Sequence, residues 1–331
     1  MTSRLRWHDI ELIRTQRRRS TLLFITDRCP VECAHCSVDS RRDSPTITDY
    51  VLFEQIVDEL CAQPELEVVG ISGGEPFVEK RGLTLAVERL HAAGKRIVVY
   101  TSGHWAIQPE PPKWIASVLD KCETVFLSTD AFHAEKMPDE RYVNAARAIA
   151  AAGAWIVVQV IDADGMRERA ESLLRDAFGA DVDDRCEVRP TFGLSAGRGA
   201  DVFTITPRHR GRDFSPCTMV ASPMIRYDGV VTGCCNETVI MGGGPKQLRV
   251  SRSSGRDVTA AVESFHADPM LRAIGSAGPG ALTDHPRFAD LADRKFSTVC
   301  DLCWTMLDRV ADDIEPDPLI GAVSGVLLPL P

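Results

Sequence analysis

Residues 21–36 read TLLFITDRCPVECAHC, an apolar run of strand character that leads directly into three closely spaced cysteines. Cys29, Cys33 and Cys36 all lie within eight residues. A cubane [4Fe–4S] cluster normally takes four thiolates, so three cysteines leave one iron open to another ligand. The spacing therefore predicts an iron–sulfur site with one open coordination position. A structural zinc site, or three unrelated buried cysteines, is the alternative interpretation.

Short β-branched stretches alternate with segments of helical period up to about residue 190. Thr48 is the expected N-cap of the first such helix. The pattern Ala-Ala-Gly-x-x-Ile-Val-Val occurs at 92–99 and again at 151–158, and both glycines are expected to end a helix in a left-handed conformation. Six parallel strands with right-handed crossovers give an α/β fold, a partial (β/α)6 TIM-like barrel with its site at the carboxyl ends of the strands. The predicted strands are Thr21–Thr26, Glu67–Ser72, Arg96–Thr101, Thr124–Ser128, Trp155–Ile161 and Cys186–Arg189.

The second predicted strand is followed by Gly73-Gly74-Glu75-Pro76, in which paired glycines let the backbone approach a ligand closely. Three cysteines at this spacing after a first strand, with Gly-Gly-Glu-Pro one strand later, resemble the radical S-adenosylmethionine (SAM) enzymes. The resemblance implies that Cys29, Cys33 and Cys36 hold a [4Fe–4S] cluster whose open iron chelates SAM. In that family the reduced cluster cleaves SAM to a 5′-deoxyadenosyl radical, which abstracts a hydrogen atom from a C–H bond.

The same resemblance assigns candidate SAM contacts. It implies that Gly73, Gly74, Glu75 and Pro76 bind the amino group of SAM, and that His35 packs near the adenine. Ser128 or Asp130, at the end of the fourth strand, is expected to touch the ribose or the carboxylate, and Gln159 on the fifth strand is a further polar candidate. Polar residues at strand ends also cap helices, which is the alternative for these positions.

Two residues are candidates for catalysis. His133 follows the fourth strand, where it would contact substrate or relay a proton near neutral pH, unless it caps the next helix. In an epimerisation, Cys235, Cys186 or Tyr227 would donate a hydrogen atom, and no sequence feature distinguishes among these three.

A second group of cysteines lies in the C-terminal third of the chain: Cys217, then Gly229 and Cys234, then Cys300 and Cys303. This spacing resembles the Twitch domain, the shortened SPASM domain of radical SAM enzymes, and implies one auxiliary [4Fe–4S] cluster that transfers electrons. Asp228-Gly229 predicts a tight turn that brings Cys217 and Cys234 together. The neighbouring Cys235 leaves the ligand at that corner ambiguous. Four thiols also suit a tetrahedral zinc ion.

Composition and charge limit the partners. The chain has 331 residues and a net charge of −9, which disfavours a nucleic-acid partner, and Arg17-Arg18-Arg19 is interpreted as a solvated flank of the first strand. No stretch is long enough for a membrane span, and eleven cysteines without a signal peptide indicate the cytoplasm. The predicted domains are a lead segment at 1–20, the barrel at 21–205, the auxiliary-cluster domain at 206–315 and a tail at 316–331.

For the substrate, the sequence analysis favours a small-molecule natural product that is oxidised, epimerised or rearranged. The close alternative is a ribosomally synthesised peptide that is crosslinked or epimerised. A zinc- or iron–sulfur-binding module without SAM chemistry is a third possibility, which the Gly-Gly-Glu-Pro segment disfavours. A radical SAM enzyme also needs a reductant such as flavodoxin or ferredoxin.

Overall fold

The computed structural model describes residues 4–161, 165–313, 315 and 317–326. Its strands are β1 (Ser20–Phe24), β2 (Val68–Ser72), β3 (Arg96–Thr101), β4 (Thr124–Leu127), β5 (Trp155–Ile161), β6 (Cys186–Thr191), β7 (His209–Arg210), β8 (Met224–Arg226), β9 (Val230–Thr232), β10 (Arg249–Ser251) and β11 (Lys295–Phe296). Its helices are α1 (Trp7–Arg14), α2 (Tyr50–Ala62), α3 (Lys80–Ala92), α4 (Lys113–Leu119), α5 (Ala131–Ala134), α6 (Asp139–Ala151), α7 (Met166–Phe178), α8 (Glu237–Ile240), α9 (Gly255–Ala267), α10 (Pro269–Ser276), α11 (Pro279–Leu282), α12 (Val299–Val310) and α13 (Pro318–Val326).

The first six strands are neighbours in chain order and pair in parallel throughout. Each lies within two residues of its predicted bounds at both ends, so the predicted parallel α/β architecture is confirmed. The carboxyl ends of all six strands lie at one edge of the sheet, which is where ligands bind in such folds. Gly94 and Gly153 adopt φ values of 74° and 89° after α3 and α6, as the repeated motif predicts. The N-cap of α2 is Asp49, not Thr48, because its carboxylate accepts the Leu52 N–H.

Alternate residues of these strands face opposite sides. One face packs under the helices and contributes pairs such as Ile97 and Val99 to the main core. On the other face, hereafter the inner face, a separate apolar cluster combines Val98 and Trp155 with residues of α1 and its lead. Leu5, Ile10 and Ile13 are the buried contributions of that lead segment. Residues 4–14 therefore fill the inner face near the amino ends of the strands, so the lead segment is part of the core.

The C-terminal third of the chain extends the same sheet. Strand β8 pairs in parallel with β1, and β9 and β10 follow as antiparallel neighbours, giving nine strands in the order β10-β9-β8-β1-β2-β3-β4-β5-β6. The predicted tight turn is confirmed: Gly229 links β8 to β9 with φ 81°. The sheet is thus continuous across the predicted boundary at 205/206, and the domain division stays a prediction. The predicted tail at 316–331 contributes α13, while Pro316 and residues 327–331 lie outside the described residues.

The Arg17-Arg18-Arg19 run is only in part the expected solvated flank, since Arg18 is exposed while Arg17 and Arg19 are half-buried. Arg17 is half-buried and donates to the carbonyls of Val220 and Leu271. Arg18 makes a two-nitrogen contact with the Glu263 carboxylate, and Arg19 pairs with Glu67. Two of the three arginines therefore attach the first strand to the C-terminal third. Within the described part of the chain, no helix combines the length and apolar character needed to cross a bilayer.

Candidate functional site

The three cysteines of the first motif lie on the loop after β1. Cys33 is buried, and Cys29 and Cys36 are half-buried. The Cys29 thiol accepts hydrogen bonds from the backbone N–H groups of Val31 and Glu32. Burial nevertheless raises the pKa of Cys29 to about 12, and the nearby Glu75 carboxylate adds to the shift. The Cys29 thiol would thus lose its proton most readily by binding a metal.

The glycine segment is fastened to the same loop. The N–H of Gly74 donates to the carbonyl of Thr26 and the N–H of Glu75 to that of Arg28, both at 2.7 Å. A Cβ atom on Gly73 would lie 2.6 Å from the Thr26 carbonyl oxygen, and one on Gly74 would lie 2.3 Å from that of Arg28. Both positions therefore require glycine. The predicted close backbone approach is made to the cysteine loop, directly ahead of Cys29.

Glu75 is buried beneath this contact. Its carboxylate accepts hydrogen bonds from Thr101 Oγ1 at 2.8 Å, from the Ser102 N–H at 2.8 Å and from Ser102 Oγ at 2.5 Å, besides the Phe77 N–H. Burial raises its pKa, and these donors offset part of the increase. Pro76, also buried, begins a short 3₁₀ turn. Glu75 thus joins the ends of β2 and β3, and a SAM amino group would share its oxygens with these donors.

A histidine–carboxylate cluster lies at the end of β4. One Asp130 oxygen is 2.9 Å from His133 Nδ1 and 3.2 Å from His35 Nε2, and the other caps α5 by accepting the N–H groups of Phe132 and His133. His35 stacks on the Phe132 ring with centroids 4.6 Å apart. Both predicted histidines therefore meet the predicted Asp130, and His133 also contacts the Cys33 thiol.

Asp130 and the neighbouring histidines stabilise one another's charged forms. Burial alone would lower the pKa of His133, but hydrogen bonds and charge attraction from Asp130 and Cys33 raise it to about 10. Burial alone would raise the pKa of Asp130, but hydrogen bonds from His133 and His35 hold it well below its usual range. An ionised carboxylate beside a protonated imidazole is thus the stable state at neutral pH.

The remaining predicted SAM contacts lie at the same sheet edge. Ser128 follows β4, where its N–H donates to the Thr101 carbonyl. By strand alternation it shares the inner face with Phe126, as Gln159 does with Val157. Ser128 is half-buried and Gln159 is exposed, so both side chains are open to a ligand on this face.

The second group of cysteines converges although the sequence spreads it over 87 residues. Burial raises the pKa of Cys234, and the proximity of Cys235, Cys300 and Cys217 adds to the effect. Burial also raises the pKa of Cys303, and the proximity of Cys234, Cys217 and Cys300 adds to the effect. Asn236 Nδ2 lies 3.4 Å from Cys300 Sγ, within reach of a weak hydrogen bond. The structure therefore brings Cys217, Cys234, Cys300 and Cys303 together as predicted.

Cys235 has contacts of its own beside this group. Its sulfur lies 3.4 Å from an Arg14 nitrogen and 3.8 Å from Met219 Sδ, and it packs against the apolar cluster of Phe24, Met224 and Ile240. Burial raises the pKa of Cys235 to about 11, although Arg14 opposes the shift. Cys235 is also close to Cys234 and Cys217, so the choice of Cys234 as the ligand at this corner stays a prediction.

The other two hydrogen-donor candidates have structural partners. Tyr227 donates its hydroxyl to Asp27 Oδ2 at 2.8 Å. Cys186 is buried in the helix-side core, with its sulfur 3.3 Å from the Val182 carbonyl. Cys186 and Tyr227 both belong to the main core cluster, whereas Cys235 packs against the separate cluster of Phe24, Met224 and Ile240.

Sequence analysis missed two arginines at this edge. Arg198 donates to the carbonyls of Cys33 and Ser40 and pairs with Asp39, so the loop after β6 closes over the cysteine loop. Arg226 makes a two-point contact with Asp27, at 2.9 and 2.8 Å. The only sequence signal for the first was Gly197, whose φ is 53° and whose Cβ would meet the Cys36 carbonyl.

The donor sets fit the two implied iron–sulfur clusters. The first loop offers three thiols, and three of the other cysteines lie elsewhere, on α2 or in the helix-side core: Cys61, Cys122 and Cys186. The second group offers four thiols, and Cys235 lies beside them in contact with Arg14 and Met219. Three thiolates leave an open iron, whereas four complete a cubane.

A family model described as the Radical SAM superfamily matches residues 23–175. The putative peptide biosynthesis protein YydG of Bacillus subtilis is 23% identical over 118 residues, which cover 35% of this chain and 37% of YydG. The chain thus matches little more than a third of that relative's length.

Two crystal structures of Streptococcus suis SuiB have a similar fold. The complex with S-adenosylmethionine has a TM-score of 0.53 at 12% identity, covering 79% of this chain and 68% of SuiB. The complex with the precursor peptide SuiA has a TM-score of 0.54 at 10% identity, covering 88% and 79%. The cysteine loop and the Gly-Gly-Glu-Pro segment both fall inside the range matched by the family model, so residues 23–175 of this chain form a radical SAM domain.

Proposed function

We propose that this chain is a radical SAM enzyme that modifies a ribosomally synthesised peptide. The observation that carries the proposal is the attachment of Gly73-Gly74-Glu75 to the backbone just ahead of Cys29. It supports a three-thiol cluster and a SAM amino-group site that are built as one unit. A zinc-binding module would have no use for this second segment.

The residues at the strand ends have different proposed roles. Cys29, Cys33 and Cys36 would hold the [4Fe–4S] cluster, which with SAM supplies a 5′-deoxyadenosyl radical for hydrogen abstraction. His35 and Asp130, held together at 3.2 Å, form one wall of the SAM site, and Ser128 and Gln159 face it from the inner side of the sheet. Arg198 holds the cysteine loop against the loop after β6, which keeps water from the reacting atoms.

A peptide is favoured over a small molecule as the substrate, which reverses the order of the two sequence-based hypotheses. YydG is named as a putative peptide biosynthesis protein, and one SuiB structure holds a precursor peptide. Similarity at these identities supports the fold directly and the substrate class only by analogy. The reaction would be an epimerisation or a crosslink.

Two side chains are proposed to act on the substrate. His133 would contact it beside the SAM site. Cys235 is the candidate hydrogen-atom donor for an epimerisation, because its thiol packs against the apolar cluster that contains Phe24, at the end of β1, and Met224. Its sulfur would lose one hydrogen atom in each turnover and regain it as an electron and a proton, the electron coming from the reductant.

Cys217, Cys234, Cys300 and Cys303 are proposed to hold an auxiliary [4Fe–4S] cluster that transfers electrons. Four thiolates bound to one zinc ion at ~2.3 Å would lie ~3.8 Å from one another. Within the described part of the chain, which includes every cysteine, no three sulfurs lie within 4.8 Å of one another. This wider spacing favours a cubane over zinc.

Anaerobic reconstitution tests the proposal. The enzyme should bind about eight irons per chain. With dithionite, or with reduced flavodoxin or ferredoxin, it should convert SAM to 5′-deoxyadenosine. Short peptides encoded beside the gene, and metabolites of that neighbourhood, are then incubated with it in D₂O. Uptake of deuterium indicates epimerisation, and loss of two hydrogens indicates a crosslink. Zinc at the first loop, or no SAM cleavage, would refute the proposal.

A further inference from the structure

A cleft of about 510 Å³ lies beside the radical SAM domain, on the surface formed by β8, β9 and β10. Three cationic side chains line it, Arg226, Lys246 and Arg249, and we call it the basic cleft. Ile240 and Met241, from the end of α8, form its apolar wall. Neither the predicted SAM site nor the four-cysteine group includes any of these residues.

The basic cleft is lined by positive charge, although the whole protein carries a net negative charge. The net charge of the chain is −9, yet Lys246 and Arg249, which pair with no carboxylate of the described residues, share this concavity with Arg226, whose charge is balanced by Asp27 and Asp228. Local charge of one sign in a concave surface concentrates ligands of the opposite sign. The basic cleft therefore selects for an anion.

Two of the three cations have hydrogen-bonding capacity to spare. Lys246 is exposed, and no hydrogen bond or ion pair joins its ammonium group to another residue of the described ranges. Arg249 is half-buried and donates one Nη1 bond to the Gly243 carbonyl, while a guanidinium has five N–H donors. The third, Arg226, is already committed to Asp27 and Asp228.

Arg226 connects the basic cleft to the candidate site. Its two-point contact with Asp27 is buried, and Tyr227 adds a third bond to the same carboxylate. Asp27 lies two residues ahead of Cys29 on the loop that follows β1. A ligand in the basic cleft would thus be anchored next to the loop that carries the first three cysteines.

We propose that the basic cleft binds a carboxylate of the substrate peptide, an Asp or Glu side chain close in sequence to the modified residue. A guanidinium and an ammonium group side by side suit a carboxylate, which accepts several charge-assisted hydrogen bonds. The apolar wall would contact the methylene groups of the same residue. This inference rests on the proposed function, because it assumes a peptide substrate.

Peptide binding measures this property without SAM chemistry. The probes are three rhodamine-labelled synthetic peptides of equal length that differ only at alternate positions, which carry Glu, Gln or Lys. Fluorescence anisotropy with the reconstituted enzyme should show that the Glu peptide binds at least about 10-fold more tightly than the Gln peptide, and that added salt reduces the difference. N-acetylaspartate as a competitor distinguishes a peptide carboxylate from a free small acid, which should compete weakly.

Substitutions of the cleft residues test whether the Glu peptide binds in the basic cleft. Lys246→Ala and Arg249→Ala should each weaken Glu-peptide binding about 3- to 10-fold, and Lys246→Glu with Arg249→Glu should abolish the preference for Glu. Arg256→Ala, which makes the same one-unit charge change as each alanine variant at an exposed position of α9 that does not line the cleft, is the matched control. Equal binding of the Glu and Gln peptides, or equal weakening by the control, would overturn the proposal.

Failure of this inference and failure of the proposed function give different experimental results. Conversion of SAM to 5′-deoxyadenosine by the unmodified enzyme is measured in the same preparation. If SAM is cleaved but the Glu peptide has no advantage, only the basic cleft is misassigned. If SAM is not cleaved, the proposed function fails, whatever the peptides show. Strong competition by N-acetylaspartate would reassign the cleft to a small acid and overturn the peptide proposal.

Discussion

Two adjacent thiols, Cys234 and Cys235, are candidates for one corner of the second group of cysteines, and we propose Cys234 as the ligand. Cys234 lies among Cys217, Cys300 and Cys303, while Cys235 contacts Arg14 and Met219. We therefore expect Cys234→Ala to lose the auxiliary cluster and reduce bound iron from about eight to about four per chain. Cys235→Ala should keep about eight, because it removes no proposed ligand.

Iron analysis with Mössbauer spectroscopy checks this, since it counts clusters without relying on activity. The two variants remove the same atoms at neighbouring positions, so each controls for the other. Equal iron loss in both would contradict the assignment. A Cys235→Ala enzyme that keeps its iron and cleaves SAM but no longer incorporates deuterium would support the hydrogen-donor role.

Asp130 should make stability depend on pH through His133. The folded-state pKa of His133 is raised to about 10, above its ordinary value of 6.5. The folded protein therefore holds an extra proton between these values. The stabilisation is fully present below pH ~6.5 and is lost as pH rises through about 10.

Asp130→Asn should remove the part of this stabilisation that comes from the Asp130 carboxylate. We expect it to lower the free energy of unfolding by about 2–4 kcal/mol at pH 6.5, and by progressively less toward pH 10. Melting temperatures measured anaerobically across this range check it. Asp139→Asn, which changes an exposed carboxylate paired with Arg169, is the control and should cost at most about 0.5 kcal/mol. A constant difference between Asp130→Asn and the wild type across the range would refute the argument.

At the scale of elements, α1 is a structural plug for the inner face of the sheet. Ile10 is 3% exposed in the apolar cluster with Val98 and Trp155, whereas Leu12 on the same helix is 50% exposed. Ile10→Ala should therefore cost about 2–4 kcal/mol of unfolding free energy, and Leu12→Ala less than about 0.5. Thermal denaturation of both variants tests this, and equal losses would show that α1 does not anchor the sheet.

The elements also show how far the sequence could be interpreted. The six parallel strands were predictable because β-branched runs and helix-ending glycines such as Gly94 are local signals. The extension of the sheet was not, because β8 has three residues and pairs Met224 with Leu22, about two hundred positions away. The role of α1 was missed because eight residues of modest amphipathicity do not reveal which surface they cover.

The candidate site also contains residues that could be predicted from the sequence and residues that could not. The cysteine loop and Gly73-Gly74 were predictable because their spacing is local and the chemistry permits few substitutes. The meeting of His35 with His133 depends on Asp130, and it requires the ends of β1 and β4 to lie at one sheet edge. Arg198 was missed because a lone arginine in a glycine-rich loop is usually a surface residue.

At the scale of the whole molecule, the two proposed clusters are attached to one continuous sheet, but each is bound by its own cysteines. Each cluster should therefore assemble without the other. The first three cysteines lie on a loop at the end of β1, whereas the second group draws Cys217, Cys234, Cys300 and Cys303 from the C-terminal third. Neither group takes a cysteine from the other. Loss of one cluster should therefore leave the other in place.

Cys33→Ala should retain about four irons per chain and lose SAM cleavage completely, because its remaining cluster has no open iron. Cys303→Ala should also retain about four irons. It should still cleave SAM but lose peptide modification, since the electron-transfer site would be missing. Each variant serves as the control for the other in the same anaerobic assay of iron, 5′-deoxyadenosine and peptide mass. Deoxyadenosine formation by Cys33→Ala would refute the assignment of the first loop, and unimpaired peptide modification by Cys303→Ala would refute the role given to the second cluster.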